Sequence, residues 1–182
     1  MSVVSSLAAV GSYFNVSTGR SDDVLRGADD TFFSLSGKDI LDGRGGNDTL
    51  RDDSDNDQLF GGDGAEFLDG GSQDDLLSGG NGADVLAGGS GADSFLWSSE
   101  TSGQTGLDRI LDFNGRQGDR IAFSEEAEDA TGIHSYADFL AAARATDAGV
   151  FLAFNGSDAE GILIEDVLLS ALTESDVVFG LG

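Results

Sequence analysis

The sequence predicts an all-β fold made of short strands and turns that repeat every nine residues. An acidic residue stands at every ninth position from residue 30 to residue 93, and a large apolar residue follows each acid two positions later. Glycines precede most of these acids. Such a fixed period is typical of repeat folds in which each unit buries its apolar residue against its neighbours. A disordered acidic linker, the alternative, has no reason to keep this period.

Each nonapeptide combines a glycine-containing turn with a very short strand. Glycine tolerates positive φ and lets another backbone come close, so it suits the turn, and the acid stands directly before the strand. The clearest turns are GRGGND (43–48), GGDGAE (61–66), GGNGAD (79–84) and GGSGAD (88–93). The pattern GGxGxDxUx, in which U is a large apolar residue, is typical of a calcium-binding parallel β-helix.

The composition favours a cation as the partner. Acids outnumber bases by 34 to 9, giving a net charge of −25, and this excludes nucleic acid as the default partner because phosphates would be repelled. The chain has no cysteine, so carboxylate and carbonyl oxygens are the expected metal ligands, and these favour calcium, magnesium or manganese over zinc or copper. No apolar run approaches the roughly 18 residues of a membrane span, so we expect no membrane insertion. Residues 1–10 lack the pattern of a cleaved signal peptide.

Residues 25–96 resemble the β-roll of the RTX (repeats-in-toxin) family through these motifs. The resemblance implies a right-handed parallel β-roll in which two nonapeptides form one coil and calcium ions lie between stacked loops. It implies that the ladder acids bind calcium together with the glycine positions of the turns. The acids are Asp30, Asp39, Asp48, Asp57, Glu66, Asp75, Asp84 and Asp93. The turn residues are Gly43, Gly45, Gly61, Gly62, Asp63, Gly64, Gly70, Gly71, Ser72, Gly79, Gly80, Asn81, Gly82, Gly88, Gly89, Ser90 and Gly91.

The stacked pairs differ in how well their turns keep the glycine pattern. The best supported pairs are Glu66 with Asp84 and Asp75 with Asp93, followed by Asp48 with Glu66 and Asp30 with Asp48. The two pairs that contain Asp57 depart most, because the turn DDSDND (52–57) carries acids where glycines are expected. Two interpretations of that turn stay open, irregular calcium binding and none.

The charge of the array predicts that calcium drives its folding. Residues 25–96 contain 16 acids and 4 bases, and stacked carboxylates about 4 Å apart repel each other by roughly 4 kcal/mol. Several bound calcium ions reverse this repulsion and add stability by mass action. Because extracellular calcium modules bind at roughly 10⁻⁴ to 10⁻³ M, we expect the array to be unfolded in cytosol and folded outside the cell.

The sequence divides into three parts. Residues 1–24 form an N-terminal cap or linker, residues 25–96 the β-roll, and residues 97–182 a C-terminal capping and secretion-signal region. Residues 94–124 read as strands that continue the roll, and Ser135 with Asp138 indicates a capped helix through Ala143. GVFLAF (149–154) and GILIED (161–166) predict a hairpin, and a short helix is expected near residues 167–172.

The C-terminal region resembles the corresponding domain of serralysin metalloproteases and the R-modules of alginate epimerases, through LDRILDF, GDRIAFS and ALTESDVVF. The resemblance implies that Glu100 and Asp108 are terminal calcium ligands, and the alternative is that they are ordinary solvated acids. Asp176 and the apolar residues 177–179 resemble the ending that type I secretion machines recognise. A final β-strand is the compatible alternative.

Two functions follow as hypotheses. The first is a secreted, extracellular calcium-binding module that is no enzyme and supports type I secretion; the single histidine, His134, cannot supply an H-E-x-x-H zinc motif. The second is an accessory module that binds an alginate-like acidic polysaccharide. Such a surface needs a basic track, for which the candidates are Arg109, Arg116, Arg120 and Arg144.

Overall fold

Two β-sheets make up most of the chain. The computed structural model describes residues 24–26, 31–33, 36–98, 106–154 and 160–181. The first sheet contains, in spatial order, β1 (Val24–Arg26), β3 (Ile40–Gly45), β5 (Gln58–Gly64), β7 (Leu76–Gly82), β9 (Ser94–Trp97), β11 (Arg120–Ser124) and β15 (Val177–Leu181). The second contains β12 (Ala143–Thr146), β13 (Gly149–Ala153), β14 (Gly161–Glu165), β10 (Leu107–Ile110), β8 (Val85–Ala87), β6 (Phe67–Asp69), β4 (Thr49–Arg51) and β2 (Thr31–Phe33).

The repeats stack as coils, each with one strand in either sheet. Strands two apart in sequence pair in parallel, so that Leu41 lies opposite Leu59 in the first sheet and Leu50 opposite Leu68 in the second. Both offsets equal two nonapeptides. The predicted fold class, an all-β parallel β-roll with a β-rich cap that carries one or two short helices, is confirmed.

The strands of the first sheet are longer than the sequence predicted. Strands β3, β5 and β7 have six or seven residues and run on into the glycine turns. The reason is that the turns of successive coils also pair, with Gly62 opposite Gly80 and Asp63 opposite Asn81. The turn backbones are thus part of the sheet, and their close approach explains the small residues there.

The apolar ladder fills the interior of the roll. Its members are 0–3% exposed, and they alternate with half-buried or exposed neighbours as expected for strands with one buried face. The ladder consists of Phe32, Leu41, Leu50, Leu59, Leu68, Leu77, Leu86 and Phe95. Ile110 and Ile121, both fully buried, extend it into the last two coils. Identical apolar contacts from coil to coil make the core continuous.

The C-terminal region continues the roll and then closes it. Strands β10 and β11 pair in parallel with β8 and β9, as predicted, whereas β13 and β14 form the predicted antiparallel hairpin and extend the second sheet. The short helix expected near residues 167–172 is a 3-10 turn, Leu169–Ala171, followed by another at Glu174–Asp176. No helix in the described ranges has the length and apolar character to span a bilayer.

Two helices lie in the cap. Helix α2 (Tyr136–Ala142) begins after Ser135, whose hydroxyl accepts from the Asp138 amide, as predicted. The helix ends at Ala142, and the prediction that it includes Ala143 is wrong: that residue is extended and begins β12. Helix α1 (Glu125–Thr131), which the sequence analysis missed, begins after the cap residue Ser124.

Some turns adopt positive φ without glycine. Gln73 has a φ of 80° at a position where the neighbouring turns place Gly64, Gly82 and Gly91, with φ between 135° and 151°. The backbone amide of Gln73 donates to the backbone carbonyl of Ser90 at 2.6 Å, so the pairing of the turns holds the residue in this conformation. A side chain in the left-handed region costs roughly 1–2 kcal/mol.

We therefore expect Gln73→Gly to raise the free energy of unfolding of the calcium-loaded protein by about 1 kcal/mol, because the strain is removed. Chemical denaturation measures the change. Ser90→Gly is the control, since Ser90 is not among the positive-φ residues and the substitution adds only unfolded-state entropy, lowering stability by roughly 0.5–1 kcal/mol. An equal loss in both variants would contradict the strain argument.

Candidate metal centre

The acid ladder forms two buried columns, one beside each sheet. Asp39, Asp57, Asp75 and Asp93 directly precede β3, β5, β7 and β9, and Asp48, Glu66 and Asp84 directly precede β4, β6 and β8. These seven acids are 0–3% exposed. The predicted acids Asp30 and Glu100 lie outside the described residues. Coil stacking thus brings the acids of every second repeat together, as the sequence implied.

A relay of hydrogen bonds links the acids of the first column, and one such bond joins Glu66 to Asp84 in the second. The backbone amide of one acid donates to Oδ1 of the acid in the following coil, as from Asp57 to Asp75 at 2.9 Å and from Asp75 to Asp93 at 3.0 Å. The same bond joins Asp39 to Asp57 at 2.7 Å and Glu66 to Asp84 at 2.9 Å. This contact fixes the orientation of each acceptor carboxylate.

The second oxygen of these carboxylates is buried and has no hydrogen-bond partner. This holds for Oδ2 of Asp57, Asp75, Asp84 and Asp93 and for both oxygens of Glu66. The free oxygen faces the turn of its own repeat: a Cβ atom added to Gly70 would lie 2.6 Å from Asp75 Oδ2. Since an unpaired buried carboxylate is strongly unfavourable, these oxygens indicate a bound cation.

The donor set fits calcium. Calcium takes six to eight oxygen ligands, including carboxylates and backbone carbonyls, and the turns offer both types together. The predicted glycine-position residues from Gly43 to Gly91 lie in these turns or in the strand ends that continue into them. Carboxylates of the columns and the turn carbonyls beside them would hold the ion. Its charge would neutralise carboxylates that no hydrogen bond satisfies.

Asp108 closes the second column. Its carboxylate, 1% exposed, accepts from the Asp84 amide through Oδ1 at 3.0 Å and from Trp97 Nε1 through Oδ2 at 3.2 Å. It therefore stands where the next ladder acid would stand. The buried placement of Asp108 argues against the alternative of an ordinary solvated acid, while its role as a calcium ligand stays a prediction.

Three further acids lie beside the array but were not among the predicted ligands. The Asp119 carboxylate lies at the end of the first column. It accepts from the backbone amide of Asp93 at 3.1 Å and from the backbone amide of Asn114 at 2.8 Å. Asp112 accepts from the amides of Gly88 and Gly89. Asp52, in the irregular turn, is buried beside Asp57. The acids at positions 112 and 119 follow longer connections and so fall outside the ninefold period.

Burial raises the pKa of the column acids in the metal-free fold. The pKa rises to about 9 for Glu66 and about 8 for Asp75, and desolvation is the main cause for both. Repulsion from neighbouring carboxylates adds to the effect, from Asp84 on Glu66 and from Asp57 on Asp75. Asp57 and Asp93 reach about 6 for the same leading reason. The metal-free fold therefore resists carrying these charges.

These shifts predict opposite pH responses with and without calcium. The folded pKa values exceed the unfolded values, so the metal-free fold is most stable below about pH 4 and loses stability as pH rises through about 6 to 9. In EDTA, circular dichroism should show more ordered structure at pH 5 than at about pH 8. Calcium affinity should change in the other direction, since protons compete for the same oxygens. Loss of metal-free structure on mild acidification would contradict this account.

The capping acid Asp119 predicts a second outcome. Asp119→Ala leaves two amides without their acceptor, so the free energy of unfolding of the calcium-loaded protein should fall by about 2 to 4 kcal/mol. Asp129→Ala, which removes an exposed acid from α1, should change it by less than about 0.5 kcal/mol. Thermal or chemical denaturation checks both, and equal effects would refute the capping role.

Comparison with known families agrees with this geometry. The family model of the RTX calcium-binding nonapeptide repeat matches residues 33–65 and 60–95, with four copies of the repeat. No curated protein matches the chain. The match falls on the coils that carry the two acid columns, whereas the predicted likeness of residues 97–182 to serralysins and alginate epimerase modules stays a prediction. Residues 33–95 of this chain are thus similar to the RTX calcium-binding nonapeptide repeat.

Proposed function

We propose that this chain is a calcium-dependent folding module that is disordered inside the cell, folds on calcium binding outside it and supports type I secretion. The buried carboxylate oxygens without hydrogen-bond partners carry the proposal. A fold that places such groups at regular intervals along its axis depends on a cation at each of them. The proposed role is one of binding and folding, without catalysis.

The chain's own groups divide the work of holding the ion. Each amide-to-carboxylate bond of the relay positions one carboxylate oxygen and leaves the other directed at the turn. The glycine at the start of the turn keeps that space open, since a Cβ atom on Gly88 would lie 2.5 Å from Asp93 Oδ2. Bound calcium supplies the positive charge that lets adjacent carboxylates be ionised together. Coil stacking and ion binding are therefore coupled.

The difference in calcium concentration between cytosol and the outside of the cell means that this coupling favours folding outside the cell. Binding in the range of roughly 10⁻⁴ to 10⁻³ M, typical of extracellular modules, leaves the array empty in cytosol and filled outside. Since the folded state alone holds the ions, the external calcium concentration stabilises it by mass action. An unfolded chain suits transport through a narrow channel, and folding after exit opposes its return.

The polysaccharide alternative is less well supported. Of the four bases that could form a basic track, Arg109 pairs with Glu165 at 2.5 Å and Arg144 stacks over the Phe151 ring at 4.5 Å from its centre. These contacts occupy two of the cations on which recognition of an acidic polysaccharide would depend.

The folding proposal is tested by circular dichroism and hydrogen exchange of the full chain in EDTA, in millimolar calcium and in millimolar magnesium. We expect a disordered chain in EDTA and an ordered β-structure in calcium, with magnesium much weaker because it prefers a rigid octahedral site and retains water. An EDTA spectrum as ordered and as heat-resistant as the calcium spectrum would refute the proposal.

The secretion proposal needs a separate test. Residues 176–181 form the end of a 3-10 turn and strand β15, which pairs with β11, so their deletion alters both the fold and the proposed export signal. In cells that carry a type I transporter, deletion of residues 176–182 should retain the protein inside. Leu59→Ala weakens the core by about 2 to 5 kcal/mol without touching this end, and the variant should still be exported. Normal export of the deletion variant would refute the signal.

A further inference from the structure

The turn at residues 52–57 carries an acid at its first position, where most turns of the array carry glycine. Five turns begin with glycine at this place, namely Gly43, Gly61, Gly70, Gly79 and Gly88, whereas this turn begins with Asp52. At three of those glycines, Gly43, Gly70 and Gly88, an added Cβ atom would lie 2.5 or 2.6 Å from Oδ2 of the acid that ends the same turn. A side chain at this position therefore starts beside the metal-facing oxygen.

The Asp52 carboxylate occupies that space. Ligand oxygens of Asp39, Asp52 and Asp57 all lie within 4.8 Å of one another, and these are the only three acidic side chains so grouped among the described residues. Asp52 is 7% exposed and Asp57 is 2% exposed. Oδ2 of Asp52 and Oδ2 of Asp57 both lack a hydrogen-bond partner. The cluster thus joins carboxylates from two successive coils, and two of these carboxylates carry a buried oxygen without a hydrogen-bond partner.

The surrounding contacts fix these carboxylates in place. The Asp53 amide donates to Asp52 Oδ1 at 2.7 Å, and the Asp52 amide donates to Asp69 O at 2.8 Å. The Asp39 amide donates to Asp57 Oδ1 at 2.7 Å. Asp55 is used elsewhere, since its Oδ2 accepts from the Gly37 amide of the preceding coil at 3.1 Å. Asp52, and not Asp55, therefore belongs to the cluster of carboxylates.

The cluster has the dimensions and charge of a strong calcium site. With calcium–oxygen distances of roughly 2.3 to 2.6 Å, two oxygens on one ion are separated by at most about 5 Å. The observed limit of 4.8 Å agrees with a single shared ion. Three carboxylates offer one more negative charge than a stacked pair of ladder acids, and calcium affinity in proteins rises with the number of charged ligands.

We propose that Asp52 is a calcium ligand, which makes the irregular turn a three-carboxylate site that binds calcium more tightly than the two-carboxylate sites and fills before them. This inference rests on the proposed function, since it assigns an affinity order within the same array. It decides between the two interpretations of the turn in favour of irregular binding. The side-chain oxygen of Asp52 enters the site from a position that is glycine in five other turns of the array.

Calcium titration of the full chain against a chromophoric chelator tests the inference. The variants are Asp52→Asn and its matched control Asp53→Asn, which removes the same charge from the neighbouring exposed side chain. The wild-type protein should bind one ion at least about tenfold more tightly than the rest. Asp52→Asn should lose this tight class, while Asp53→Asn should keep it within about twofold. Superimposable titrations of the two variants would overturn the inference.

The variant Asp52→Gly provides a second test in case Asp52→Asn does not fold. Glycine is the residue that five other turns carry here, so this variant should still order in calcium, with the tight ion converted to the weaker class. Retention of the tight ion in Asp52→Gly would overturn the inference. Failure of the wild-type chain to order in calcium would instead overturn the proposed function. Normal ordering with equal affinities in all variants would overturn only the assignment of Asp52.

Discussion

The rest of this structure depends on one constraint. Carboxylates of like charge are buried at the same position in successive coils. The coils bring a carboxylate of every second repeat into a buried column; in most of these carboxylates one oxygen accepts from the backbone of the preceding coil, and the other has no hydrogen-bond partner and is left for a cation. Hydrophobic burial and backbone pairing alone would favour the same stack with any small residue at those positions. The acids make the stack conditional, because without counterions the column opposes its own formation.

Other features of the roll serve this arrangement. Turn glycines leave room beside the metal-facing oxygens and let turns of successive coils pair as extensions of the first sheet. The apolar ladder fixes the distance and register between coils. As a result, the acids that precede the strands of one sheet lie at equivalent positions in successive coils. At the C-terminal end the period breaks, yet Asp108 and Asp119 restore a carboxylate at the level where each column would otherwise lack one.

Much of this could be predicted from the sequence, because a strict period links each residue to its place in the coil. The columns, the core and the parallel pairing all follow from the ninefold spacing of Asp39 to Asp93 and Leu41 to Phe95. Asp119 could not be found this way, since it lies 26 residues after Asp93, and a longer connection conceals its place in the stack. Helix α1 carried a detectable signal, in Ser124 followed by two glutamates and in the closing Gly132. Asp52 departs from the repeat pattern, and spacing alone does not show that its side chain turns inward.

The amide-to-carboxylate hydrogen bonds all run in one direction along the chain. Each donor amide therefore depends on a carboxylate that lies further toward the C-terminus. In the first column the backbone amide of each acid donates to the acid of the following coil, so the amide of the last acid needs an acceptor from outside the repeats. The cap alone ends this dependence, because its acids come from outside the repeats. Loss of the C-terminal region would therefore leave the amides of Asp84 and Asp93 without acceptors, whereas loss of an N-terminal coil would remove a donor and leave the acceptors of the remaining coils in place.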